Sequence, residues 1–182
     1  MGNCDIKTLD TRIVYKNQWM RVREDDIERR DGSKGLYGVV EKSDFAVIVP
    51  ISDDGQLHLV EQYRYPVGAR YWELPQGAWE DKPGASPLEV ARGELLEETG
   101  LESDDLAIVG HLFQAYGYST QGYHIFVARQ VRQVATDRTV EEQDLVTSMF
   151  PMVDVETMIR KGEIKDATTV ATIGLLRLNG IL

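Results

Sequence analysis

The segment "SPLEVARGELLEETG", residues 86–100, marks both ends of a helix and loads its last turns with like charge. Ser86 suits the N-cap, Pro87 the first helical position, and Glu89 completes a capping box three residues after the cap. Gly100 supplies a left-handed stop. The spacing therefore predicts a helix over 87–99. At about 100° per residue, Leu88, Ala91 and Leu95 fall on one side and form the expected buried stripe. Beside that stripe, Glu94, Glu97 and Glu98 fall within an arc of about 100°. Glu94 and Glu98 are an i,i+4 like-charge pair, which destabilises an isolated helix by roughly 0.2–0.5 kcal/mol. Carboxylates in the last turn also meet the negative end of the helix dipole, at about 0.3–1 kcal/mol each. No lysine follows at i+3 or i+4 to relieve them. A solvated acidic face is the ordinary explanation of such a cluster. A hard divalent cation, Mg2+ or Mn2+, is the explanation that uses the opposed charges, because it favours grouped carboxylate oxygens and keeps waters for chemistry.

Around this helix the pattern is mostly strand. Residues 11–42 read as two or three strands, with "GLYGVVEK" (35–42) following the turn signal "RRDGSKG" as a hairpin. "FAVIVPI" (45–51) is a continuous apolar run and reads as a buried strand, with "LHLVEQYRY" (57–65) returning as its partner after the turn "DDGQ". "ELPQGAWEDKPGASP" (73–87) is loop-like. "LAIVGHLFQA" (106–115), "YHIFVARQV" (123–131) and "LVTSMFPM" (145–152) are further strands, and helices are expected near 153–161 and 167–178. Strands interleaved with few helices indicate an α/β or α+β layered domain.

Composition excludes some functions. Across 182 residues the net charge is −10, which argues against a general nucleic-acid binder. The single cysteine, Cys4, excludes an internal disulfide framework and fits a reducing compartment. No apolar run is long enough to span a bilayer and no signal h-region is evident. Ile6 stands where an N-myristoylation pattern wants Ser or Thr. A cytoplasmic protein without membrane or nucleic-acid partners is the expectation.

The stretch "GAWEDKPGASPLEVARGELLEETGL", residues 77–101, resembles the Nudix box: Gly, five residues, Glu, seven residues, then Arg-Glu-U-x-Glu-Glu-x-Gly-U, with U a bulky aliphatic. The second half matches as Glu94, Leu95, Glu97, Glu98, Gly100 and Leu101. "EQYRYP" (61–66), "WELPQG" (72–77) and "GEIKDATTVATIGLL" (162–176) look like the ADP-ribose pyrophosphatase branch of that family. Two positions depart from the pattern. Gly93 stands at the box arginine and Ala85 at the first box glutamate, a pair thought to orient the catalytic glutamates in the family. Gly77, the nearest candidate for the initial glycine, is two residues early, so the loop is longer than the pattern.

The resemblance implies a Nudix-type α/β/α sandwich with a mixed sheet. It also implies an additional N-terminal antiparallel strand region, residues 1–42, before a hydrolase domain over 43–182. It implies metal-dependent hydrolysis of a nucleoside diphosphate linked to another moiety, with ADP-ribose first among substrates. Glu94, Glu97 and Glu98 would hold Mg2+ or Mn2+, joined by a backbone carbonyl at Gln76 beside Gly77. The general base would come from Glu141 or Glu142 in the loop "TVEEQD", with Glu97 as the rival. Arg64 would contact the phosphates or terminal ribose. Glu73 would bind ribose or anchor its loop. Gly77 and Tyr116 would also line the substrate site. Trp72, Trp79, Tyr116 and Tyr118 are candidates for stacking a base or for core packing, and His58, His111 and His124 read as structural. Tyr116 stands where the ADP-ribose branch tends to have proline, and tyrosine there goes with dinucleoside polyphosphate hydrolysis. That activity is one alternative; a nucleotide-binding module with impaired catalysis and a purely structural acidic domain are others. Members of this branch commonly pair through their N-terminal strands, so a homodimer is expected.

Overall fold

A strand that is apolar on both faces must be covered on both, and "FAVIVP" imposes this on the larger part of the molecule. The structure, a computed structural model, describes residues 5–79, 82, 84–134 and 144–182. They form two compact units: residues up to 44 with 113–122, and residues 45–112 with 123–182.

In the smaller unit, β1 (Ile6–Lys16), β2 (Arg21–Arg29) and β3 (Lys34–Glu41) form an antiparallel sheet in that order. The hairpin expected from "RRDGSKG" is the β2–β3 connection, and β1 begins earlier than residue 11. Segment 113–122 joins this sheet: Val40 N–H donates to Tyr118 O at 2.8 Å, and Thr120 N–H to Val40 O at 3.0 Å. The Tyr37 hydroxyl donates to Gly117 O at 2.8 Å. Asp25 is buried, accepts from Thr11 Oγ1 at 2.8 Å, and pairs with Arg23. Every residue of β1 is exposed, including Leu9, Ile13, Val14 and Tyr15.

The larger unit contains β4 (Phe45–Pro50), β5 (Leu57–Arg64), β6 (Ala69–Glu73), β7 (Gln76–Gly77), α1 (Pro87–Thr99), β8 (Leu101–Glu102), β9 (Asp105–Phe113), β10 (Gly122–Arg129), β11 (Arg132–Gln133), β12 (Val146–Phe150), α2 (Met152–Lys161) and α3 (Ala167–Leu178). One sheet runs β7-β4-β10-β9, with β10 parallel and β7 antiparallel to β4. It is therefore mixed, as expected. Alternate residues divide between its faces. Ala46, Ile48, Phe126 and Ala128 pack with Ala91 and Leu95 of α1. Phe45, Val47, Val49, Ile125 and Val127 pack with Val155 and Met158 of α2 and with Ile173 and Leu176 of α3. Fully burying one aliphatic side chain is worth about 1.5–3 kcal/mol, so this partition fixes the register of β4 against any one-residue slip. Helices thus cover both faces of the sheet.

Two local expectations differ from the structure. β5 is not the partner of β4: it lies between β6 and β12 in a second sheet, and only the bridge Ile51↔Leu57 links the two runs. Both edges of β4 are already taken by β7 and β10, so the chain leaving the Gly55 turn has to pair elsewhere. Leu88, expected in the buried stripe, is exposed: the apolar cluster under α1 takes in Val90, Ala91 and Leu95 but not Leu88. No helix of the described residues is long and apolar enough to cross a membrane.

Candidate functional site

The boundaries of α1 follow from its caps. The Ser86 side chain accepts from Glu89 N–H, Glu89 accepts from Ser86 N–H at 2.7 Å, and Gly100 has φ +68°. With its ends fixed and Ala91 and Leu95 turned into the core, the helix has no freedom to rotate Glu94 and Glu98 into solvent. Both are buried, at 5% and 4% exposure, which excludes a solvated acidic face. Glu97 is half-buried beside them.

The strand β7 lies against these carboxylates. Its pairing with β4, Ala46↔Gly77 and Val47↔Gln76, holds it in place. Gln76 N–H donates to Glu98 Oε2 at 2.9 Å. A Cβ on Gly77 would overlap the Glu94 carboxylate and stand 2.6 Å from its Oε1. Glycine is required there for close approach. Burial, and then the neighbouring Glu94 charge, push the Glu98 carboxyl well above the ordinary carboxylate range. The Gln76 N–H and the more distant Arg64 pull the other way, while Glu73 adds to the rise.

Glu73 ends β6 and is itself buried. Gln62 Nε2 donates to it at 2.7 Å and Arg64 Nε at 3.1 Å, with a second Arg64 nitrogen on the same carboxylate. Burial raises its pKa and Arg64 partly offsets the rise. These contacts match the loop-anchor alternative for Glu73. Arg64 is both the partner of that carboxylate and, with 40% of its side chain exposed, accessible from solvent.

One residue of the site escaped the sequence reading. Asp166 caps α3, accepting from Thr169 N–H at 2.8 Å and Thr169 Oγ1 at 2.7 Å. It also accepts from Gln76 Nε2 at 3.1 Å, while Leu74 N–H donates to Thr169 Oγ1 at 2.9 Å. The start of α3 is thereby tied to the 74–76 segment that lies on Glu98. An Asp followed by Ala-Thr-Thr at a predicted helix start was the available signal. Asp166→Ala is expected to cost about 1–2 kcal/mol through loss of the cap, a fall of about 2–4 °C in Tm per kcal/mol for a domain of this size. Asp166→Asn should retain most of that stability in a thermal melt.

The structure brings Glu94, Glu98, Gln76 and Gly77 together directly, with Glu97 beside them. Glu73 and Arg64 are near enough to act electrostatically on Glu98. Tyr116 is 84% exposed and belongs to the smaller unit, as does Tyr118. Trp72 packs edge-on against Phe150 at 4.9 Å. Glu141 and Glu142 lie outside the described residues. The donor set fits a hard divalent cation: two buried carboxylates of like charge on one helix face, a third alongside, and a close backbone segment. Two anions buried this closely need a counter-charge or a proton, and a cation supplies the former.

Comparison with known proteins bears on the family and the fold. Residues 42–172 match the model of the NUDIX domain, and residues 6–40 match that of the nucleoside diphosphate sugar hydrolase N-terminal domain. The chain is 28% identical, over its whole length and 86% of the relative, to an ADP-ribose pyrophosphatase of Mycobacterium tuberculosis. It is 33% identical, over 97% of both chains, to a GDP-mannose pyrophosphatase of Yersinia enterocolitica. A crystal structure of an ADP compounds hydrolase superposes over the full length of both chains with a TM-score of 0.84 at 23% identity, a likeness of fold.

Proposed function

The chain belongs to the Nudix family, and from that premise we propose that it is a metal-dependent pyrophosphohydrolase of nucleoside diphosphate sugars, with ADP-ribose as its first substrate. The observation that carries this reading is the buried Glu94–Glu98 pair closed over by Gln76 and Gly77. Glu94, Glu97, Glu98 and the Gln76 backbone are the groups that would hold Mg2+ or Mn2+. A divalent cation supplies charge neutralisation for the diphosphate and lowers the pKa of a water. The rest is the work of the chain. In this reading Glu141 or Glu142 takes the proton of the attacking water, with Glu97, half-buried beside the pair, as the rival. Arg64 offers its exposed edge to a phosphate and is braced by Glu73. Water adds to one phosphorus and the bridging P–O bond breaks, giving AMP and ribose 5-phosphate.

A second substrate is favoured by a specific likeness: the 33% identical relative named a GDP-mannose pyrophosphatase. The test is hydrolysis of ADP-ribose, GDP-mannose, NADH and diadenosine polyphosphates, each with Mg2+ and with Mn2+. Metal-dependent release of AMP from ADP-ribose at the highest kcat/KM supports the proposal. Preference for GDP-mannose or a dinucleoside polyphosphate would move the substrate. Nucleotide binding without turnover of any of them would make the protein a binding module.

We also propose a homodimer in the cytoplasm, the compartment resting on the single cysteine. The fully exposed β1, with Leu9, Ile13, Val14 and Tyr15 on an edge strand, is a surface that isolated monomers avoid. Light scattering is expected to give twice the 20.6 kDa chain mass. Leu9→Asp combined with Ile13→Asp should give the monomer mass, and an unchanged dimer would reject β1 as the interface.

A further inference from the structure

Gly93 sits in the interior of α1, where glycine is normally unfavourable relative to alanine. Its φ is not positive, so backbone conformation does not call for it. The reason is steric. A Cβ at Gly93 would overlap Cζ2 of Trp79 and stand 2.6 Å from Cη2. The indole therefore rests directly on the helix backbone, at the residue immediately before Glu94. The Lys82 ammonium covers the ring at 3.8 Å from its centroid, within cation–π range. Lys82 N–H donates to Trp79 O at 3.2 Å and Ala85 N–H to Lys82 O at 3.1 Å.

Trp79 follows Gly77 by two residues, and Gln76 and Gly77 are the residues that touch Glu98 and Glu94. The loop thus meets α1 at two points on either side of Ala78: β7 on the carboxylates, and the indole on Gly93. A family arginine at 93 and glutamate at 85 would tie the loop to the helix by charge. Here a ring on a glycine occupies that place.

We propose that Trp79 is a positioning residue: its indole, seated on Gly93 and covered by Lys82, locks the loop onto α1 and sets Glu94 and Glu98 against Gln76 and Gly77. The proposal rests on the metal-site reading of those glutamates.

The test is the pair Gly93→Ala and Trp79→Ala, singly and together, with Trp79→Phe as the conservative variant. Mn2+ affinity by calorimetry and kcat and KM for ADP-ribose are the readouts. Gly93→Ala is expected to weaken Mn2+ binding and lower kcat by about 10–100-fold, the range for groups that orient metal ligands, with KM little changed. Trp79→Ala should show a loss of similar size, and Trp79→Phe a smaller one. In the Trp79→Ala background the added methyl has room, so Gly93→Ala should no longer harm and should raise Tm, as alanine does in a helix. This reversal of sign is the signature of the contact. Variants that shift only Tm, with Mn2+ affinity and kcat at wild-type values, would reduce the indole to packing and overturn the proposal, as would Gly93→Ala being equally harmful with and without Trp79. Wild-type protein that binds no Mn2+ would sink the metal-site reading and the proposal together. Wild-type protein that binds Mn2+ without hydrolysing ADP-ribose would fail only the substrate reading, and the affinity cycle would still decide the role of Trp79.

Discussion

Replacing Glu98 by glutamine is expected to cut kcat by on the order of 10²–10³-fold, the scale for removing one well-placed electrostatic group, and to raise the Tm of the metal-free protein. The two effects have one cause. Glu98 is 4% exposed and faces Glu94, so its charged form is disfavoured first by burial and then by that neighbour. Glutamine keeps an oxygen to accept from Gln76 N–H, the 2.9 Å bond that holds β7 to the helix. It removes the charge without leaving that donor unpaired, which is the costly outcome when a buried partner is lost. Relief of a buried like-charge contact stabilises the fold, while the same deletion removes a ligand oxygen's charge from the site. Activity and stability move in opposite directions, as they do when a site is held in a locally unfavourable arrangement. Steady-state kinetics with Mg2+ and melting curves in chelator check both signs. A fall in Tm together with a fall in kcat would mean that Glu98 is chiefly structural. An unchanged kcat would remove it from the site.

The parts of this molecule legible in its sequence are those decided within a few residues. The ends of α1 were readable because Ser86, Pro87, Glu89 and Gly100 each act on backbone groups within one turn. The burial of β4 was readable because six consecutive positions leave no polar face. What was not legible depended on partners distant in the chain. The strand beside β5 could not be deduced from the turn before it, since β4 already had neighbours on both edges. Asp166 advertised a helix cap, but nothing local revealed that its carboxylate also receives the Gln76 amide. Gly93 is the sharpest case. The sequence shows only a glycine where the resembled pattern has arginine. The structure shows Trp79 using the space that any side chain at 93 would fill. A lone sequence records which residue is small, but not which neighbour needs it to be.

Gly77→Ala is expected to lower kcat by on the order of 10²-fold, the cost of an ångström-scale misplacement in a catalytic array, with Tm close to wild type. The two halves of this result again come from one geometry. The atoms that an alanine methyl would meet are the Glu94 carboxylate, the far end of a flexible side chain, and not the backbone. The fold can therefore accept the methyl by swinging Glu94 aside. Gly77 has no positive φ, so its conformation suits alanine, and the loss of chain freedom in the unfolded state stabilises by about 0.4–1 kcal/mol. That gain offsets the strain of moving Glu94, and the whole penalty falls on function. β7 cannot retreat instead, because Ala46↔Gly77 and Val47↔Gln76 pair it to the central strand β4. A shorter acid supplies the control. Glu94→Asp alone should impair catalysis by drawing the carboxylate back from the site, but with Gly77→Ala it clears room for the methyl. The double variant should then be less impaired than the product of the two single effects. Multiplicative losses would mean that Gly77 and Glu94 act independently, and wild-type turnover in Gly77→Ala would mean that the working enzyme does not hold Glu94 against β7.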